Sequence, residues 1–257
     1  MDLGIKGKVA LVTASSSGMG RNIALALAAE GAHVVLFARS ADKLQAVCRE
    51  IEERHGVPAT AVAGSLTEAA DITRLAGVLA GLSGPDIAVI VTGRPPNPLR
   101  DALEENELPR WDEAYQVQLR SVVQLVNGVV PAMVAKGWGR IVAVTSASAK
   151  QPMAKHALST VFRAGVTAYM KTLANELGAH GVTVNCVAPA LIDTSHRTGA
   201  AAYTPEQTAR RQAMTPLGRM GTQDELSGVV AFLTSMQAGF VTGSTIAVEG
   251  GMVGSLF

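Results

Sequence analysis

The chain has 257 residues, of which 48% are hydrophobic, and a formal net charge of +1. This is long enough for a large core, and the near-zero charge argues against nucleic acid or an anionic membrane as the main partner. The two cysteines, Cys48 and Cys186, lack metal-binding spacing, and no signal-like leader or apolar run of about 18 residues is apparent. We therefore expect a cytoplasmic protein with no metal, nucleic acid or membrane partner.

Seven short runs rich in β-branched residues predict strands buried on both faces. They span 8–13, 32–38, 59–63, 87–92, 140–146, 182–188 and 244–248. Helical patterns lie between them at 20–31, 40–56, near 111–136, 155–179 and 223–235, with Gly31 and Gly56 at expected helix ends. The alternation predicts a single α/β domain over residues 1–257, with a doubly wound, parallel seven-stranded sheet.

Two loops are candidates for ligand binding. The first strand ends in a turn of small residues and a helix follows at once, so the backbone and the helix N-terminus can approach a pyrophosphate. We predict that this turn binds phosphate through Ser15, Ser16, Ser17, Gly18, Met19 and Gly20. The alternative is a tight strand–helix turn without a ligand. The irregular segment 190–222 follows a strand and is predicted to be the substrate-binding insertion.

The turn at 13–20 resembles the T-G-x-x-x-G-x-G motif of the short-chain dehydrogenase/reductase family, with Ala14 at the first glycine. Segments similar to other family motifs follow in the family's order, at 86–93, 139–146, 185–194 and 240–251. The resemblance implies a Rossmann-like fold, a bound nicotinamide dinucleotide, and a homotetramer joined through the long helices and the last strand. It also implies cofactor contacts from Ser65, Leu66, Thr92, Gly93, Pro189, Ile192 and Thr194.

The end of the second strand bears on which dinucleotide is bound. An NAD site places an acidic side chain there for the ribose 2′-hydroxyl, but this chain has Arg39 followed by Ser40. An arginine can face a 2′-phosphate. The alternative is a solvated surface arginine. We predict that NADP is preferred over NAD.

The resemblance also implies a catalytic set of serine, tyrosine and lysine, usually with an asparagine. In the family the serine polarises a carbonyl, the tyrosine donates a proton, and the lysine binds the ribose and lowers the tyrosine pKa. The serine position is Ser146, the tyrosine position is Ser159 and the lysine position is Arg163. The asparagine position is Gln118. The serine is thus retained, and the other three residues are replaced.

The replacements change the chemistry that this set can perform. A serine hydroxyl is too weak an acid to replace a tyrosine, whereas an arginine keeps its charge and offers a fork of donors. Ser146, Ser159 and Arg163 are therefore predicted to stabilise an anion rather than to donate a proton. The proton source stays open between His156, Tyr115 and an ordered water.

Three functions are compatible with these residues. The favoured one is an NADP(H)-dependent oxidoreductase acting on a carbonyl or alcohol, because Ser146, the serine-rich turn and Arg39 are all present. The second is a non-redox isomerase, lyase or dehydratase that holds an enolate or carboxylate. The third is a catalytically inactive binding protein. The residues do not identify the substrate or the direction of the reaction.

Overall fold

The computed structural model describes residues 2–194 and 203–256. Within them, seven strands form one sheet, and every described pair is parallel. The strands are β1 Val9–Thr13, β2 His33–Ala38, β3 Ala59–Ala63, β4 Ile87–Val91, β5 Gly139–Val144, β6 Val182–Pro189 and β7 Thr245–Val248. Their order across the sheet is β3-β2-β1-β4-β5-β6-β7. The predicted fold class is confirmed.

Helices connect the strands. They are α1 Gly18–Ala29, α2 Ala41–His55, α3 Ala69–Gly81, α4 Leu108–Tyr115, α5 Ser121–Lys136, α6 Ala157–Leu177, α7 Pro205–Gln212 and α8 Gln223–Leu233. Helices α3 and α7 are absent from the sequence-based prediction. The α7 sequence has no buried residue to produce an apolar stripe, and a capping box formed by Thr204 and Gln207 supports its first turn. This helix lies in the predicted insertion 190–222, of which 195–202 lie outside the described residues.

The helix predicted near 111–136 contains a break. Its two halves, α4 and α5, are joined by one π-helical turn, Gln116–Arg120, with the buried Gln118 at its centre. Such a turn inserts one extra residue and is often found at functional sites. An amphipathic pattern does not reveal it, because the apolar residues on either side still alternate with a helical period.

The joined helix Leu108–Lys136 is 29 residues long with a mean hydropathy of 1.3, so by length and composition alone it could cross a membrane. The sequence expectation of no such segment is therefore too strong. One face of this helix, including Val122, Leu125 and Met133, is fully buried. A core helix of a soluble protein passes the same test, so the finding is weak evidence for a membrane span.

The sheet is covered on both faces. Helices α1, α2 and α8 bury residues such as Leu27, Leu44 and Val230 in one apolar cluster. Helices α3, α5 and α6 bury residues such as Leu79 and Leu125 in a second cluster on the opposite face. The central strands contribute to both clusters, which explains why their sequences are continuously apolar.

The sheet order reverses at β1, which lies between β2 and β4. Backbone pairing of β1 with β4 extends to Val12 opposite Val89. Beyond it, the buried Thr13 hydroxyl donates to the Val91 carbonyl at 2.7 Å and accepts from the Val91 N–H at 2.8 Å. Hydrogen bonds from the Thr13 side chain thus replace backbone pairing where β1 and β4 end. In open α/β sheets such a switch point forms a crevice that binds ligands.

Candidate functional site

A cleft of about 970 Å³ lies at the carboxyl ends of the central strands. It extends from the turn before α1, past the ends of β2 and β3, to the loop after β4. Six residues of the sequence-based cofactor prediction line it: Ser16, Ser17, Arg39, Ser65, Leu66 and Gly93. Ala14 of the same turn lines it as well. Their roles as ligand contacts stay predictions.

The turn before α1 is closely packed against the helix. Ala14 has a φ of 50°, the left-handed conformation that favours glycine, and this accounts for the glycine of the motif it resembles. A Cβ on Gly20 would lie 2.4 Å from the Ala14 carbonyl oxygen, so the helix can approach the turn only with a glycine there. The tight turn therefore brings the N-terminus of α1 to the floor of the cleft.

Several polar groups of this turn are unpaired. Ser17, the residue before α1, makes no side-chain capping bond, so the first N–H groups of α1 are not capped by it. Ser15 is fully buried, and its hydroxyl has no partner among residues 2–194 and 203–256. Gly18 and Met19 belong to the first turn of α1. Open N–H groups and a free hydroxyl at a helix N-terminus are suited to an anion.

Two cations line the cleft beside the end of β2. Arg39 follows the strand, and Lys43 lies four residues later in the first turn of α2. Within the described part of the chain, neither forms a salt bridge. Lys43 was missed in the sequence, where only its spacing from Arg39 could have indicated it. Together they provide two free positive charges at one edge of the cleft.

The turn after β3 is held by a carboxylate. The Ser65 N–H donates to Asp71 Oδ2 at 2.8 Å, and the Ser65 and Thr67 hydroxyls lie 2.8 Å apart. The bond from Ser65 is the main cause that lowers the pKa of Asp71. Asp71 thus fixes the loop that presents Ser65 and Leu66 to the cleft.

Three serines form a hydrogen-bonded serine cluster at the end of β5: Ser146, Ser148 and Ser159. Ser146 Oγ accepts from the Ser148 N–H at 3.2 Å and from the Ser148 hydroxyl at 3.0 Å. Ser148 Oγ lies 3.4 Å from Ser159 Oγ on α6. The structure therefore brings Ser146 and Ser159 together through Ser148, which sequence reasoning missed. A serine two residues after Ser146 was the available signal.

Arg163 lies one helical turn after Ser159 and is 8% exposed. Its Nη1 donates to the Val144 carbonyl and its Nη2 to the Gly93 carbonyl, both at 3.1 Å. These bonds tie the end of β5 to the turn after β4. Burial lowers the pKa of Arg163 to about 10, so the side chain keeps its charge at neutral pH. The guanidinium is thus a fixed cation at the same sheet edge as Ser146.

Gln118 is fully buried in the π-helical turn. Neither its amide nitrogen nor its amide oxygen has a partner in the described ranges, and the same holds for the buried Thr92 hydroxyl. Buried polar groups are rarely left unpaired in proteins, so both are available to a ligand or an ordered water. Gln118 forms no direct hydrogen bond with Ser159 or Arg163.

The remaining predicted cofactor residues follow β6. Pro189 is the buried last residue of that strand, and Ile192 forms an isolated bridge with Gly221. Thr194 is half-buried and precedes the stretch 195–202, which lies outside the described residues. None of the three lines the cleft as described, although they lie at the same edge of the sheet.

The tyrosines of the described residues lie outside the cleft. Tyr115 and Tyr169 line a separate depression on the outer surface of the α4–α5 and α6 helices, and Tyr115 contacts Phe162 there with ring centroids 6.3 Å apart. Tyr203, the third tyrosine, stacks with Arg211. Tyr115 lies in this separate depression, so the geometry does not favour it as a proton source.

His156 immediately precedes α6. Its Nδ1 lies 2.7 Å from the Ala154 carbonyl oxygen, so this nitrogen carries the hydrogen and donates it locally. The ring does not line the described cleft. The second sequence candidate for a proton source is thus held by its own loop.

The loop after β4 is fixed by a buried ion pair that sequence reasoning missed. Arg110 Nε and Nη2 donate to the Glu105 carboxylate at 2.9 and 2.7 Å, and the Glu105 side chain is 1% exposed. The same guanidinium donates to the carbonyls of Pro96, Asn97 and Pro98. Prolines lack an N–H, so this loop cannot pair as a strand. Arg110 therefore holds the wall beyond Gly93.

The chain matches the family model described as enoyl-(acyl carrier protein) reductase over residues 13–253. It is 34% identical over 254 residues to the 3-oxoacyl-[acyl-carrier-protein] reductase FabG of Aquifex aeolicus, covering 98% of this chain and 100% of the relative. It is 33% identical over 251 residues to dehydrogenase/reductase SDR family member 4 of Oryctolagus cuniculus, covering 96% and 94% of the two chains.

Solved structures show the same architecture. The L-sorbose reductase of Gluconobacter frateurii, in its complex with NADPH and L-sorbose, superposes with a TM-score of 0.91 at 32% identity. The superposition covers 100% of both chains. The similarity therefore extends over the whole fold and is not confined to the nucleotide-binding turn.

Proposed function

The chain belongs to the short-chain dehydrogenase/reductase family, and we propose that it is an NADP(H)-dependent oxidoreductase that interconverts a carbonyl and an alcohol without a tyrosine–lysine pair. The observation that carries this proposal is the composition of one cleft. One end presents the unpaired cations Arg39 and Lys43. Gly93 at the other end accepts a hydrogen bond from Arg163, which also contacts the end of β5, just before Ser146.

The described residues fit a phosphorylated dinucleotide. The N-terminus of α1 and the free hydroxyl of Ser15 would hold the pyrophosphate. Arg39 and Lys43 would hold the 2′-phosphate, because two cations without salt-bridge partners favour that charge over a ribose hydroxyl. The similarity to an L-sorbose reductase solved with NADPH supports this assignment. When bound, the dinucleotide supplies or accepts the hydride.

At the other end, we assign Ser146 as the donor to the substrate carbonyl oxygen. Arg163 adds a fixed positive charge, which stabilises negative charge on that oxygen without needing to rearrange. Ser159 and Ser148 support Ser146 rather than donate a proton themselves. The proton on the alcohol then comes from water. Loss of a general acid typically costs 10²–10⁴ in rate, so we expect slow turnover.

A titration and a turnover assay separate this function from the two alternatives. Fluorescence titration with NADPH and NADH should show tighter binding of NADPH. Oxidation of NADPH is then followed with a panel of ketoses, aldehydes and 3-oxoacyl thioesters. Turnover of any member supports the oxidoreductase. NADPH binding without turnover across the panel favours the non-redox or inactive function, and no binding of either dinucleotide removes all roles assigned to the cleft.

We further propose that the protein self-associates as a homotetramer through the outer faces of α4, α5 and α6. Tyr115 and Val161 are 42% and 48% exposed on these faces, beside an apolar depression that includes Leu119 and Tyr169. Contiguous exposed apolar surface of this kind usually marks an interface. Light scattering coupled to gel filtration should give four chains, and Val161→Glu should reduce the mass. A monomeric wild type would contradict this assembly.

We place the protein in the cytoplasm. Cys48 and Cys186 are both free and buried, and burial raises the pKa of the Cys186 thiol to about 12. Neither thiol is therefore reactive, and stability does not depend on an oxidising compartment. Fractionation of cells that express the chain would test this placement, because recovery in the membrane pellet would contradict it.

A further inference from the structure

We propose that Ser148 is a positioning residue that holds the Ser146 hydroxyl so that its hydrogen points into the cleft. This inference rests on the proposed function, since it assigns a task to Ser146 as donor to the substrate. It concerns a side chain that is fully buried and lies on the 3₁₀ turn Ala147–Ala149. Ser148 is fully buried and hydrogen-bonds Ser146, so it acts through Ser146.

The hydrogen bonds of Ser146 define the direction of its own hydrogen. Its Oγ accepts from both the N–H and the hydroxyl of Ser148, at 3.2 and 3.0 Å. A hydroxyl oxygen has two lone pairs, so both acceptor positions are used. The Ser146 O–H itself has no acceptor among the described residues. Its hydrogen is therefore free to be donated to a bound substrate.

The direction of the remaining bond follows from the first two. The Ser148 hydroxyl donates its only hydrogen to Ser146. In the 3.4 Å contact between Ser148 and Ser159, Ser159 is therefore the donor. The serine cluster thus runs from Ser159 through Ser148 to Ser146. Ser146, at the end of this series, is half-buried, whereas Ser148 and Ser159 are 0% and 8% exposed.

Such a chain has two consequences for Ser146. Each bond polarises the next, so the last hydroxyl becomes a better donor than an isolated serine. The hydroxyl is also held in one rotamer, which removes the cost of orienting it when the substrate binds. Ser159 stands at the tyrosine position of the family, but its hydrogen is directed into the protein and not toward the substrate.

The test is a double-mutant cycle of Ser146→Ala and Ser148→Ala, read by NADPH-dependent turnover of the best carbonyl in the panel. Ser148→Ala should lower kcat by roughly 3- to 10-fold, the value of one neutral hydrogen bond, with the NADPH Kd within about twofold of wild type. In the Ser146→Ala background the same change should have no further effect on kcat. Ser148→Cys, which fills the space with a poor donor, should behave as Ser148→Ala.

Ser235→Ala is the matched control, because Ser235 is also fully buried and its hydroxyl accepts one local N–H, from Ala238, at the opposite edge of the sheet. It should leave kcat unchanged. Additive losses in the cycle, or full activity in Ser148→Cys, would overturn the role of Ser148 in an enzyme that is otherwise active. A wild type inactive on every carbonyl contradicts the proposed function itself, and with it the donor role that Ser148 serves.

Discussion

The two ends of the candidate site, the cleft near β2 and the serine cluster with Arg163 near β5, differ in how their polar groups are satisfied. At the end near β2, Ser15, Arg39 and Lys43 have no hydrogen-bonding or ion-pair partner within the described residues. At the end near β5, Arg163 and the serine cluster are engaged with the protein itself. The first end is thus open to a ligand, whereas the second is already held in one arrangement.

This difference indicates two separate demands on one crevice. Binding a dinucleotide requires free donors and charges that the ligand completes. Stabilising a developing charge requires donors that are fixed beforehand, because their reorganisation would otherwise raise the barrier. In the proposed function, Ser15, Arg39 and Lys43 supply the first property. The chain has the second through serines and an arginine, none of which titrates near neutral pH.

The largest expected effect is at the fixed end. Ser146→Ala should lower kcat by about 10²-fold, because it removes the hydroxyl that we propose donates to the substrate oxygen. The NADPH Kd should stay within about twofold, since the open end is untouched. Steady-state kinetics with a parallel fluorescence titration measure both. A change in the NADPH Kd alone, with kcat unchanged, would mean that Ser146 binds the dinucleotide. It would contradict the distinction between an open end and a fixed end.

The next effect is at the open end. Arg39→Ala combined with Lys43→Ala should raise the NADPH Kd by about 10- to 100-fold, since two charge-assisted contacts to one phosphate are lost. The NADH Kd should change little. Arg49→Ala is the matched control, because Arg49 is an exposed cation on α2 that does not line the cleft. Equal losses for both dinucleotides would mean that these cations do not face the 2′-phosphate.

A smaller effect concerns the wall between the two ends. Arg110 holds the pKa of the Glu105 carboxyl below its usual range. A carboxylate with a lowered folded pKa contributes stability above its unfolded pKa, near 4.3, and this contribution is lost as the pH falls toward the folded value. Glu105→Gln should therefore lower the melting temperature by about 5 °C at neutral pH and much less in acid.

Thermal unfolding at several pH values measures this difference, with Glu53→Gln as the control, since Glu53 is exposed on α2 and forms no salt bridge in the described structure. The same loss at every pH would show that Glu105 contributes by packing and not as an anion. An unchanged melting temperature would mean that the loop is held by other contacts.

The sequence predicted the fold well because its signal is local. Strands buried on both faces need continuous apolar runs, and each run, such as 59–63, is found as a strand within two residues of its prediction. The family motif has a glycine where this chain has Ala14. The φ of 50° at Ala14 explains that glycine, because this backbone conformation favours it. Residues that fill the core or a fixed turn have few alternatives, so their pattern is informative.

The site was predicted less completely, because its key contacts join distant segments. The bonds of Arg163 to Gly93 and of Arg110 to the loop at 96–98 depend on the crossing of strands and helices, which no spacing reveals. The π-helical turn at Gln118 also leaves the apolar period almost unchanged. Family resemblance located Ser146 and Ser159, but not the buried Ser148 that links them.

The dependence of kcat on pH, measured with saturating NADPH and carbonyl, tests the central claim most directly. The claim is that the fixed end contains no group that titrates near neutrality. Burial lowers the pKa of Arg163 to about 10, so its charged form persists below that pH and is lost above it. We predict a kcat that is constant from about pH 6 to about pH 9 and falls only toward about pH 10. A tenfold fall per pH unit with a midpoint inside the constant range would require a titrating acid in the cleft and would contradict the account.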